Sequence, residues 1–278
     1  MKVGEIIDGI IEKTGIERIS ERETCDKLMA GSPEMDVTKI VTTFMATVDV
    51  IRQSINIGAN FIITHEPTWY TGADDTGWLE GDPVYEEKKK LIDHNKIAIW
   101  RFHDHMHQAK EDGIYRGFDE QLGWKKYRKA FTDGDGFVNK FGFCYEIPET
   151  TLRELCGFFK RKMNMDVVQI VGNPDMKVRR VSALVGGGSL GAGISENLPM
   201  RVMREKSMDV IICGDITEWT LSAYVRDAAM LGFNKGMLVL GHERSEEAGM
   251  KYLPEWIKSV AGTTEVVFID AEEPFMYL

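Results

Sequence analysis

Paired cysteines are missing from this 278-residue chain. Its four thiols, Cys25, Cys144, Cys156 and Cys213, lie far apart with no zinc-type spacing, which argues against a closed thiolate site. Isolated thiols of this kind suit a reducing, cytoplasmic setting. Long apolar runs are also missing: no stretch of about 18 apolar residues occurs, so no membrane span is expected. The opening Met1-Lys2-Val3-Gly4-Glu5 brings an acid early and has no apolar signal-peptide core,. Positive charge is in deficit, with a net charge of −10. That balance argues against a broad basic face of the kind that holds nucleic acid. One basic run, Lys125-Lys126-Tyr127-Arg128-Lys129, reads as a solvated surface segment,.

What is present is the composition of a globular protein, long enough for one large domain or two lobes,. Apolar spacing predicts helices over residues 3–14, 48–58, 84–95, 151–164, 217–232 and 245–260,. Strands are predicted over 38–47, 60–64, 97–106, 134–146, 167–171, 180–185, 210–213, 236–240 and 265–269, and a loop over 71–83,. Ile147-Pro148-Glu149-Thr150 reads as the opening of the helix at 151,. Strand and helix alternate through much of the chain, which predicts α/β layers.

Five of the six histidines fall where strands end: His65, the run His103, His105, His107, and His242. Neutral imidazole is the commonest protein metal ligand, and strand-end loops are where an α/β sheet collects its chemistry. His242 and Glu246 stand four apart, on one face of a helical turn. Alone they also fit a helix-start histidine beside a solvated glutamate. His65-Glu66-Pro67 follows an apolar strand, and by itself is equally a polar turn closed by proline,. If the strand at 97–106 persists, His103, His105 and His107 share a face, where a bound cation would keep them neutral. Asp104 is placed to orient an imidazole. Gly186-Gly187-Gly188-Ser189 fits a tight strand–helix turn better than an anion cradle, since it lacks the phosphate-loop lysine,. His94 reads as an exposed residue at a helix end. Together the three histidine segments form a mixed nitrogen and oxygen donor set suited to Zn, Fe, Mn, Co or Ni.

The motifs resemble those of the NIF-three-like family, also labelled GTP cyclohydrolase I type two homologues. The likeness rests on Asp26-Lys27-Leu28-Met29-Ala30-Gly31, the strand running into His65-Glu66-Pro67, the segment His103-Asp104-His105-Met106-His107, Gly186-Gly187-Gly188-Ser189 and Gly241-His242-Glu243-Arg244-Ser245-Glu246. It implies two intertwined α/β lobes with mixed sheets. One lobe would comprise residues 1–127 with 237–278, and the other the inserted residues 128–236. It also implies a two-metal site with His65, Glu66, His107, His242 and Glu246 as ligands, and His103 beside them as a catalytic proton carrier. Glu66 stands where the family has a second histidine, and His107 where it has an aspartate, so the two exchanges keep the donor count.

The resulting expectation is a cytoplasmic protein with two divalent transition-metal ions. It would be a metal-dependent hydrolase acting on a small nucleotide-like or phosphorylated substrate. The alternative is a non-catalytic, metal-dependent assembly or regulatory protein. No membrane or nucleic-acid partner is expected, and the family implies a homo-hexamer built as a trimer of dimers.

Overall fold

The computed structural model describes residues 1–129, 142–191 and 193–278. It divides into two compact units, each made of two chain segments. The first is Met1–Gly117 with Glu247–Glu272, and the second Phe118–Glu246 with Glu273–Leu278. The sequence reading placed the second body at 128–236.

The first unit is organised by a five-stranded sheet in the order β1 (Leu28–Ala30), β4 (Ala98–Arg101), β3 (Phe61–Thr64), β2 (Ile40–Thr43), β10 (Val266–Phe268). The four strands from β4 to β10 are parallel, and β1 joins antiparallel at the edge. All residues of β2, β3 and β4 are buried. Their near-continuous apolar sequence is what a parallel strand covered on both faces requires. Helices α1 (Val3–Thr14), α2 (Val48–Asn56) and α3 (Pro83–His94) belong to this unit. The start of α2 is fixed by Thr47, whose side chain accepts from Val50 N–H,. The start of α3 is fixed by Asp82, which accepts from two backbone N–H groups, with Pro83 in the first turn,. His94 ends α3 and is exposed.

The second unit repeats the plan. Its sheet runs β5 (Phe143–Thr151), β7 (Lys177–Leu184), β8 (Val210–Cys213), β9 (Gly236–Val239), β6 (Gln169–Val171). The central three strands are parallel and both edges antiparallel. Because β9 is hydrogen-bonded to both β8 and β6, it belongs here. Helices α6 (Leu152–Lys162), α7 (Leu198–Glu205) and α8 (Leu221–Met230) complete the unit. Leu198, Val202 and Met203 of α7 and Leu221 and Val225 of α8 are buried in one apolar cluster with Ile211 and Met237 of the sheet. The helix α9 (His242–Ala261) starts in the second unit and continues in the first. Among the described residues, no helix is long and apolar enough to cross a membrane.

Three details depart from the sequence reading. The strand expected over 97–106 ends at Arg101 and gives way to the short helix α4 (Asp104–Gln108). The cause is Asp26, whose carboxylate accepts from the backbone N–H groups of His103, Asp104 and His105 at 2.7, 2.7 and 2.9 Å. A carboxylate meeting those otherwise unsatisfied donors nucleates a helical turn. Secondly, Ile147-Pro148-Glu149-Thr150 is strand: β5 continues to Thr151 through an irregularity between Glu146 and Thr150. An edge strand tolerates proline at such a bulge. Thirdly, β1 and the helix α5 (Gly113–Leu122) were not anticipated. The expected strand residues 134–141 lie outside the described residues.

Candidate metal centre

The candidate site residues gather after the carboxyl ends of parallel strands. In the first unit, His65 and Glu66 follow β3 and His103 follows β4. In the second, Gly186 follows β7, Asp215 follows β8 and His242 follows β9. Strand carboxyl ends are the functional edge of parallel α/β sheets.

In the first unit, the turn after β3 is pinned by the carbonyl of Phe44, which accepts from the N–H groups of His65 and Glu66 at 3.0 and 2.9 Å. Arg101 braces the same turn: its Nε donates to His65 O at 3.2 Å and its Nη1 to Gly72 O at 2.7 Å. His103 precedes α4 and His107 lies within it, one turn apart, with His107 N–H donating to His103 O at 3.0 Å. The rings of His65, His103 and His107 close on one another. The centroids of His65 and His103 are 4.6 Å apart in a stack, and His107 stands edge-on at 5.0 and 4.8 Å. One ligand atom from each lies within 4.8 Å of the others.

Each of these rings has its Nδ1 engaged. His65 Nδ1 meets Phe102 O at 3.2 Å, His103 Nδ1 meets Asp104 Oδ1 at 2.9 Å, and His107 Nδ1 meets Asp112 Oδ2 at 2.9 Å. Carbonyl and carboxylate oxygens only accept, so each Nδ1 carries a proton, and in the neutral ring Nε2 then holds the lone pair. That is the arrangement in which an outer partner fixes tautomer and direction for a metal ligand. The hydrogen bond from His103, reinforced by Cys25 N–H and Thr24, holds the Asp104 carboxyl well below the usual range.

His105 has a different fate. It is 1% exposed. Its Nδ1 meets Asp26 Oδ2 at 2.7 Å and its Nε2 accepts from Ile19 N–H at 3.0 Å. Both nitrogens are spent on the fold, and the shared face expected for His103, His105 and His107 does not form. A helical turn keeps residues 103 and 107 together and turns 105 away.

Glu66 has divided attention. Its Oε2 pairs with Arg101 Nη2 at 3.0 Å, with only 4% and 13% of the two side chains exposed. Its Oε1 stands 3.8 Å from His103 Nε2.

In the second unit, α9 opens at His242, so His242 and Glu246 lie on one turn with His242 Nε2 3.0 Å from Glu246 Oε2. Two donors about 2 Å from one ion are separated by about 3 Å, so this spacing suits a metal's bite. Asp215 Oδ2 accepts from His242 Nδ1 at 2.8 Å. The glycine turn packs directly on this pair. Gly186 has φ +52, and a Cβ there would fall 1.9 Å from Glu246 Oε1 and 2.8 Å from His242 Nε2. Gly186 N–H donates to Ser245 Oγ at 2.9 Å. Close approach is therefore what requires this glycine.

Four of the six predicted residues thus fall in the first unit and two in the second. Asp26, Arg101, Asp112 and Asp215 were missed. Asp112 and Asp215 had a readable signal, since one lies five residues past His107 and the other two past β8, but which ring each would meet depends on folding; Asp26, ahead of β1, had none. The donor set of the first unit fits a metal: three imidazole nitrogens, each oriented from behind, with a carboxylate oxygen of Glu66 near His103,; the second unit adds the pair His242 and Glu246.

These features define a class: a two-unit, mixed α/β protein with residue groups able to hold metal ions. The chain belongs to the DUF34/NIF3 (NGG1p interacting factor 3) family, whose model matches residues 1–274. A relative in Clostridium perfringens, named GTP cyclohydrolase 1 type 2 homolog, is 25% identical over the whole of both chains. A relative of the same name in Clostridium acetobutylicum is 28% identical over 74% of each. A solved structure of a Bacillus cereus protein related to NIF3 superposes with a TM-score of 0.75, covering 100% of this chain and 99% of that one at 16% identity. That likeness concerns the fold.

Proposed function

We propose that His65, Glu66, His107, His242 and Glu246 serve as ligands of a pair of divalent transition-metal ions. The protein is then a metal-dependent hydrolase of a nucleotide-like or phosphorylated small molecule. The observation that carries the reading is the engagement of Nδ1 in every one of His65, His103, His107 and His242 by an outer acceptor. An outer acceptor on Nδ1 fixes the direction of each ring and turns Nε2 toward a cation. The name of the clostridial relatives agrees with a nucleotide-type substrate.

A bound pair of ions would supply charge to polarise a substrate oxygen and acidify water. The chain's own residues divide the remaining work. Phe102 O and Asp112 orient the rings of His65 and His107, and Asp215 orients that of His242. Arg101 fixes one oxygen of Glu66 and leaves the other directed at His103. His103, backed by Asp104, takes or returns a proton at Nε2 during hydrolysis. The same reading includes a cytoplasmic homo-hexamer arranged as a trimer of dimers.

Metal content after chelator-free purification tests the reading, together with turnover of GTP and of simple phosphate esters. Wild type should carry two ions per chain, and His65→Ala or His242→Ala should lose metal and activity together. Equal metal in all three proteins overturns it. Metal loss in the variants without turnover in wild type favours the assembly or regulatory alternative.

A further inference from the structure

His103 has a second face. Its Nε2 looks toward Glu66 and the imidazole cluster, whereas its Nδ1 looks toward Asp104. On that second side lies Cys25, and one ligand atom each from Cys25, His103 and Asp104 lies within 4.8 Å of the other two. Asp104 ties the group together. Its Oδ2 accepts from Cys25 N–H at 2.8 Å and from Thr24 Oγ1 at 2.9 Å, while its Oδ1 accepts from His103 Nδ1. All three residues are partly buried, so the group is sheltered and yet reachable. No spacing in the chain signals it, because residue 25 is far from 103 and 104.

We propose that Cys25, His103 Nδ1 and Asp104 form a distinct site for a thiophilic divalent cation such as Zn²⁺, Co²⁺ or Cd²⁺, and that filling it withdraws His103 from the imidazole cluster. Thiolate, imidazole and carboxylate together are a donor set for such ions, with a position left open for solvent. The proton balance gives the second half of the proposal. Coordination removes the Cys25 thiol proton to solvent, since thiolate is the ligand. It also requires a lone pair on Nδ1, so the ring proton moves from Nδ1 to Nε2. A ring protonated at Nε2 can neither take a proton there nor face a cation there. The thiol site is therefore an inhibitory switch on the residue assigned proton transfer above. The switch rests on that assignment, but the cation site does not.

Co²⁺ and Cd²⁺ titrations of the full chain test it, because a metal–thiolate bond gives a near-ultraviolet charge-transfer band that nitrogen and oxygen ligands do not. Wild type and Cys156→Ser should show the band, and Cys25→Ser should lose it. The His65→Ala/His107→Ala double variant should keep it, which separates this site from the imidazole cluster, whose occupancy is read as the total metal bound. No band in wild type, an undiminished band in Cys25→Ser, or its loss in the double variant overturns the thiol site. For the switch, one equivalent of Cd²⁺ added to metal-loaded wild type should abolish turnover but leave Cys25→Ser active. Equal inhibition of both proteins overturns the switch and leaves the site standing.

Discussion

His105 and His107 stand two positions apart in one short helix, and their chemistry diverges because of what each ring meets. His105 meets Asp26 on one nitrogen and the Ile19 amide on the other, so it holds the segment that follows α1 to α4. His107 turns its Nδ1 to Asp112, and its ring joins the cluster. Replacing one partner of a buried hydrogen-bonded pair costs about 1–3 kcal/mol. His105→Ala should therefore lower the urea midpoint by an amount in that range while the folded protein binds metal as before. His107→Ala, whose bond to Asp112 is more exposed to solvent, should lose metal with a smaller fall in the metal-free midpoint. Paired denaturation and metal-content measurements on both variants check this, and metal loss in His105→Ala alone would contradict it. The histidine-rich run was plain in the sequence. The division of labour within it was not, since it depends on partners about 80 residues away in the chain.

At the scale of an element, α3 carries a buried amine that helical periodicity alone leaves unexplained. Lys88 is 4% exposed. Its Nζ donates to Thr68 O at 2.7 Å and lies 5.3 and 5.1 Å from the ring centres of Trp69 and Tyr70. It thereby ties α3 to the segment that follows His65-Glu66-Pro67. Burial pulls its pKa down to about 8, against a smaller opposing pull from Asp74. The folded state thus binds the Lys88 proton less tightly than the unfolded chain does. Between about pH 8 and the unfolded value of 10.5 the unfolded chain holds more protons, so stability rises with pH across that window,. Below it the cost of burying the charge is fully present. Lys88→Met, which carries no such charge, should lack this rise. Denaturant unfolding of both proteins at pH 7.5 and pH 10 checks the difference, and parallel pH dependence would refute it. The element map itself was largely legible, because β2, β3, β4 and β8 are short apolar runs between turn signals,. The failures came where a distant side chain intervened, as Asp26 does at α4.

At the scale of the whole molecule, each unit presents its candidate ligands at the carboxyl ends of its parallel strands, and metal binding should stabilise the fold by mass action. An ion at 100 times its dissociation constant adds about 2.7 kcal/mol. Chelator should therefore lower the thermal midpoint of wild type, and readdition of one of Zn, Fe, Mn, Co or Ni should restore it. In His65→Ala/His242→Ala the midpoint should no longer respond. Calorimetric scans with and without chelator measure this, and an equal response in the double variant would remove those residues from the metal site.

The sequence by itself determined the kind of protein. Periodicity marked the layers, and the positions of His65, His103, His107, His242 and Glu246 marked candidate donors, because strand ends and helical turns are local properties. Only the tertiary structure decided how each donor is used. Asp26 bends a strand end into a helix, Arg101 claims half of Glu66, Gly186 makes room for His242 and Glu246, and Cys25 comes to lie beside His103. Hydrogen bonds and close contacts act over a few ångströms in space between residues remote in sequence, and no periodicity records them.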